Sequence, residues 1–289
     1  MELQEGLQAF LLQLAADGRS SHTVGQYRRH VTALIRWLQA TGKGTRVTDL
    51  TPKVLASFFT DDAARVSCRG GVKKATTLNA MRTSIRCFCR HLHDLGLVTT
   101  NPARLLRRAR CSPAPPKALH PDQQQRLLEV LVMAEGREAA RDRMLVELLL
   151  GIGLRLGSAL ALNVQDVDFP HGELVLHQMK NNRPSTAILP ASLAGKLKEY
   201  LDGRMEGPLF LAHGRRISTR HAQRRIAGWM ATAGLAGRTA HSLRHSFATG
   251  LLARTGDLRL VQAALNHASV LSTVTYVTVD QGRLREAVG

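Results

Sequence analysis

Apolar residues recur every three to four positions through most of this chain, the spacing of helices that bury one side. Leu3, Leu7, Phe10, Leu11 and Leu14 draw the first stripe, closed by Gly18. A second helix starts at the Ser20-Ser21 cap, carries Val24, Tyr27, Val31, Leu34, Ile35 and Leu38, and stops at Gly42. Thr51-Pro52 opens a third. Lys74 to Leu95 forms a fourth, stopped at Gly96, with Leu78, Met81, Ile85, Phe88 and Leu92 on its apolar side. Its other side carries Arg82, Arg86 and Arg90 at four-residue spacing, a ridge that is either a solvated face or a contact for a phosphate backbone.

The stripes stop at ARCSPAPPKA, residues 109–118, where three prolines deny the chain a helix. This stretch reads as a stiff, extended linker between a helical domain at 1–108 and a second domain at 119–289. The second domain opens with helices at about 121–134 and 137–150. GELVLHQMKNNRPSTAILP then reads as strand, polar turn and strand, with Leu174–Leu176 and Thr186–Leu189 around the turn. Further helices are expected at 191–202, 218–233, 241–255, 258–265 and about 270–277. The fold class is mainly α, a helical domain followed by a mixed α/β domain with a small antiparallel sheet. No internal repeat is present.

Charge changes this picture. Forty Lys and Arg stand against 22 Asp and Glu, a net charge of +18, on a chain that is 44% hydrophobic. Both parts share the excess: residues 1–116 hold 18 basic and 7 acidic residues, residues 117–289 hold 22 and 15. Arginine predominates, and its planar fork suits phosphate oxygens. A basic folded chain of this kind points to nucleic acid, with an anionic membrane surface or plain solubility as the alternatives. The early glutamates and interrupted apolar positions of MELQEGLQAFLLQLAADG do not make a signal or transit peptide, and no apolar run has membrane-span length. Cys68, Cys87, Cys89 and Cys111 lack a disulfide spacing, which fits the cytoplasm and, for a DNA-binding chain, the nucleoid. CFCRHLH at 87–93 is a poor metal site, because residues two apart on a helix point to different faces. No metal and no cofactor is expected.

AHSLRHSFATGLL, from Ala240, carries the sharpest question. Leu243, Phe247, Leu251 and Leu252 recur at helical spacing, while His241 and Arg244 stack near the positive end of the helix. Two such groups repel unless an anion lies between them. Three other segments hold candidate residues. Arg155 sits among apolar residues at a helix end in GIGLRLGSALAL, which suits a structural ion pair as well as a binding role. Lys180 ends the first strand of the hairpin, where a lysine is usually solvated. His267 follows a helix end, and Tyr276 lies nine residues later.

In that order, Arg, Lys, His-x-x-Arg, His, Tyr, these segments resemble the tyrosine recombinase (phage integrase) family. LNHASVLSTVTY is similar to the family's Leu-Gly-His-x-Ser-x-x-x-Thr-x-x-Tyr segment, HSLRHSFAT to its His-x-Leu-Arg-His-x-Phe-Ala-Thr segment, and GLRLGSALAL to its Gly-Leu-Arg-Ile-Ser-Glu-Leu box. TSIRCFCRHLHDLGLVTTNPA looks like the last core-binding helix and its Asn-Pro exit.

The resemblance implies a site-specific DNA recombinase of simple Xer-like or transposon type, its two domains forming a C-shaped clamp on DNA. Tyr276 would attack the scissile phosphate and form a 3′-phosphotyrosyl link. Arg155 and Arg244 would hold the non-bridging oxygens, and His267 would donate a further hydrogen bond. His241 would act as base and Lys180 would protonate the leaving 5′ oxygen. Because the phosphotyrosine retains the bond energy, rejoining needs neither ATP nor metal. Ser158 stands where the family has a carboxylate, and Asn266 where it has glycine. Asn is the next-best residue in a left-handed turn, so that change is benign. Arg220 and Arg224 on helix 218–233 are candidates for DNA grooves or a solvated face. The implied partners are duplex DNA with inverted-repeat core sites and other copies of the chain in a tetramer, held in part by residues 277–289. An accessory protein or a second recombinase fits equally. The rival readings are a type IB topoisomerase-like activity and a non-catalytic DNA-binding protein of the same fold.

Overall fold

A computed structural model describes residues 1–68, 70–111, 117–177 and 185–265. The chain divides into two compact units, Met1–Pro113 and Ala114–Gly289.

The first unit is helical: α1 (Leu3–Ala16), α2 (Ser21–Ala40), α3 (Pro52–Thr60), the single turn α4 (Asp62–Arg65) and α5 (Ala75–Asp94). The expected stripe of α1 is buried in full, and Phe10 meets Phe88 of α5 at 5.6 Å between ring centres. Helix starts follow the expected chemistry. Ser20 Oγ accepts the Thr23 N–H at 3.2 Å, and Thr51 Oγ1 accepts that of Val54 at 3.2 Å, with Pro52 at the first helical position. α4 has no apolar period of its own, which is why periodicity misses it. In α5, Met81, Ile85, Phe88 and Leu92 are buried as expected, while Leu78 is half-buried. Cys89 is fully buried and Cys87 receives a hydrogen bond from Tyr27, so the two thiols serve different faces. Asn79, on the same helix, ties down the chain near the expected linker. Its Nδ2 donates to Ala109 O at 2.9 Å and its Oδ1 accepts the Ala109 N–H at 2.8 Å.

The second unit is built around α7 (Arg137–Ile152), buried over most of its length. Packed on it are α6 (Pro121–Val132), α9 (Ala191–Leu201), α10 (Thr219–Thr232) and α11 (Ala240–Thr255). The short α8 (Leu156–Ala161) follows α7, and α12 (Leu258–Ala264) follows α11. The two strands of the expected hairpin are the central strand and one edge of a three-stranded antiparallel sheet, β1 (Val167–Asp168), β2 (Glu173–Leu176) and β3 (Ser185–Ile188), in that order, with Leu174 opposite Ala187. A second, unforeseen pair is β4 (Leu211–Ala212) and β5 (Arg215–Arg216). Its turn residues His213 and Gly214 both have positive φ, at 50° and 72°, as a type I′ turn requires. Histidine rarely signals such a turn.

A buried ion network fixes α10 to α7. Asp142, 1% exposed, accepts from Arg141 Nη2 at 2.7 Å, Arg225 Nε at 2.6 Å and Trp229 Nε1 at 2.9 Å. Breaking such a buried set by removing one partner typically costs about 3–5 kcal/mol, because the remaining charge stays in low dielectric.

Candidate active site

Three candidate residues lie in one region of the second unit. α7 ends at Gly153, whose φ of +71° turns the chain out of the helix. A Cβ at Gly153 would meet the Phe247 ring, so glycine is required there twice over. Two residues on, Arg155 stands at the N-cap of α8, exposed and without an ion pair among the described residues. The sequence placed Arg155 within a helix end and allowed it a structural salt bridge; it stands instead between two helices with its charge in the open.

Arg244 differs from its expected setting. It is 3% exposed, and its guanidinium donates to Gly153 O and, at 2.8 Å, to Leu265 O. These carbonyls lie at the C-terminal ends of α7 and α12, where the helix dipoles favour a cation. The side chain therefore spans positions 91 and 21 residues away and holds the turn before Arg155 against α11.

The buried face of α11 also departs from its apolar pattern. Of the four expected core residues only Leu243 is buried. Phe247, Leu251 and Leu252 are half-buried around a small cluster of Ala248, Val261 and Leu265. Ser242 and Ser246 fill the interior instead, because each finds backbone partners. Ser246 Oγ donates to Ser242 O at 2.9 Å and accepts the Leu119 N–H at 2.7 Å.

His241 is exposed at the first turn, with its ring edge-to-face against His245 at 4.4 Å between centres. Both imidazoles are held below their ordinary pKa. For His241 the causes are loss of water on the packed side of the ring, then the charges of Arg244, Lys117 and Arg155. His245 is pushed down to about 4 by burial, then by His241, Arg244 and Lys117. The repulsion expected between His241 and Arg244 is thus relieved by deprotonation, leaving a neutral imidazole beside fixed positive charge.

This has a measurable consequence. In the unfolded chain a histidine takes up a proton near 6.5, whereas folded His245 does so only near 4. Between those values the unfolded state binds more protons, so stability is lost as the pH falls through the window. His30 and His91 of the first unit, lowered chiefly by burial, slope the same way. Urea unfolding from pH 7 to pH 4 should show this loss, with a shallower slope in His245→Gln. Equal slopes in the two proteins would contradict the depressed value.

The remaining candidates stand on other elements or outside the described residues. Arg220 and Arg224 are exposed on α10 at i, i+4, one turn apart. Arg86 is exposed on α5, but Arg82 is half-buried, 4.9 Å above the Phe59 ring and bonded to Asn79 Oδ1 at 3.3 Å, so part of its work is packing. Lys180, His267 and Tyr276 lie outside the described residues, as do Asn266, the tail at 277–289 and the expected helix at 270–277. Two groups that act on His241 or its neighbour carried no role in the sequence reading. His245 was readable, four residues along the same helix. Lys117 was not, since its segment joins α11 through the Leu119 N–H, which donates to Ser246 Oγ across 127 residues.

Comparison with known proteins places these residues in context. Residues 117–283 match the phage integrase family, and residues 7–95 match the phage integrase N-terminal SAM-like domain. The chain is 35% identical over 292 residues to tyrosine recombinase XerC of Serratia marcescens, covering 96% of this chain and 91% of that one. It is 31% identical to the XerC of Herpetosiphon aurantiacus, with coverage of 97% and 92%. Among solved structures, XerH site-specific recombinase bound to palindromic difH substrate matches with a TM-score of 0.70 at 22% identity, covering 92% of this chain and 78% of that one. A lambda integrase dimer bound to a COC′ core site matches with a TM-score of 0.76 at 20% identity, covering 98% and 79%. At those identities the two structures share the fold.

Proposed function

The chain belongs to the phage integrase family and is a tyrosine recombinase, and we propose that it cuts and rejoins duplex DNA at specific sites by way of Tyr276. The observation that carries the chemistry is the buried Arg244 fork, which bonds Gly153 O and Leu265 O and so holds the turn bearing Arg155 against the helix that presents His241. A scissile phosphate entering this region meets fixed positive charge as its own charge redistributes, which stabilises the transition state without reorganisation. The Tyr276 oxygen attacks phosphorus and its phenolic proton passes to His241, which is deprotonated and able to receive it. The bond to the 5′ oxygen breaks, and Lys180 supplies the proton that oxygen needs. His267 donates a hydrogen bond to the phosphate. A 5′-hydroxyl from another strand then attacks the phosphotyrosine, restoring the phosphodiester and releasing Tyr276.

We further assign residues 1–108 to core-site binding and 119–289 to catalysis, joined by 109–118. Arg86 and Arg82 on α5 and Arg220 and Arg224 on α10 supply phosphate or groove contacts, which would make binding strongly salt-dependent. The natural substrate is a pair of inverted-repeat core sites in the cytoplasm, bound by four copies that exchange residues 277–289, with an accessory protein or second recombinase where the site requires it.

Strand exchange separates this reading from simple relaxation. A plasmid carrying two directly repeated target sites should be resolved into two smaller circles by the purified protein. Relaxed plasmid with no resolved circles would favour the topoisomerase-like alternative.

A further inference from the structure

We propose that Lys117 is a further DNA-phosphate ligand of this site, carried to it by the hydrogen bond that pins the segment before α6 onto α11. The inference rests on reading the first turns of α11 as the seat of a DNA phosphate.

Residue 119 is fixed on both sides of its backbone. Its N–H donates to Ser246 Oγ at 2.7 Å, and its carbonyl accepts from Gln124 Nε2 at 3.0 Å. Leu119 and Ser246 are each 3% exposed, so the bond between them is shielded from water. The Ser246 hydroxyl has its proton committed to Ser242 O, one turn back along α11, and therefore presents a lone pair to Leu119. Lys117 lies two residues before this anchor, so its backbone cannot stray more than about 7 Å from it. Its side chain is exposed and makes no ion pair or hydrogen bond among the described residues.

Its neighbours decide what that charge is for. Lys117 lies close enough to hold down the pKa of both His241 and His245, as Arg244 does. Lys117 and Arg155 thus join Arg244 around the first turns of α11, from three separate segments. Fixed positive charges placed together in this way draw in a phosphate group. A lysine supplies a compact point charge, which suits support of a phosphate already held by arginine forks.

The test compares Lys117→Ala and Lys117→Arg with the wild type. Binding to a short random-sequence duplex is followed against salt, and single-turnover cleavage on a mapped target site. Lys117→Ala should lower the salt slope by about 0.9, the share of one phosphate contact. It should also slow covalent attachment about tenfold, the scale of one charge-assisted hydrogen bond. Lys117→Arg should retain both. A neutral methylphosphonate at the cut or at an adjacent position should erase the difference between wild type and Lys117→Ala, and the position that does so identifies the contacted phosphate. An unchanged salt slope, or a difference that survives every such replacement, would overturn the proposal. If the wild type forms no covalent adduct, the recombinase reading fails instead, and the salt slope still reports on Lys117.

Discussion

Tyr276→Phe is expected to form no covalent adduct with DNA while binding duplex within about twofold of the wild type, the range of a substitution that leaves the fold alone. The substitution removes one oxygen, and that oxygen is the attacking atom of the proposed reaction. The arginines are never nucleophilic, and an attack by water would leave no protein attached. The basic residues that supply affinity are untouched, so the two readouts separate. Detergent-resistant protein–DNA complexes measure the first, and duplex binding at several salt concentrations measures the second. Adducts that persist in Tyr276→Phe would move the nucleophile elsewhere.

Arg244→Lys is expected to lower the rate of covalent attachment by about a hundredfold or more, the scale on which an oriented donor to a reacting oxygen contributes. The change keeps the charge and is mild on paper. A single ammonium, however, cannot reproduce a rigid fork that bonds Gly153 O and Leu265 O together. Two consequences follow at once. The charge moves relative to the phosphate, and the turn at Gly153 that carries Arg155 loses its tie to α11. Because Gly153 also lies against the Phe247 ring, the turn has little freedom to compensate. Single-turnover kinetics on a cleavable duplex would show the loss in rate, with binding reduced far less. A rate within a few-fold of wild type would mean that charge, and not the held geometry, is what Arg244 supplies.

Most helices were legible because each has one apolar stripe and an identifiable start: Ser20 and Thr51 cap as their residue types require, and α1 buries the stripe its spacing draws. Elements too short for a period were not, which accounts for α4, α8, β1 and the β4–β5 pair. α11 shows a different failure. Its large apolar residues suggested the buried face, yet Ser242 and Ser246 occupy the interior. The Ser242 hydroxyl accepts from Thr239 N–H at the start of the helix, and that of Ser246 from Leu119 N–H far away in sequence, and hydropathy carries no trace of either. The site divides in the same way. Residue type and spacing brought His241, Arg244 and Arg155 forward as candidates. They could not reveal that Arg244 is buried and held by two carbonyls, nor that Lys117 stands beside the two histidines. Those facts depend on contacts between residues 21 to 127 apart.

The most direct test is to map the DNA ends that become attached to the protein. Purified chain would be mixed with sheared genomic DNA, quenched in detergent, and the captured ends sequenced. Attachment through 3′ phosphates is expected, with free 5′-hydroxyls on the opposite ends and accumulation at one short inverted repeat. Attachment through 5′ ends, or intact salt-sensitive binding with no attachment at all, would contradict it.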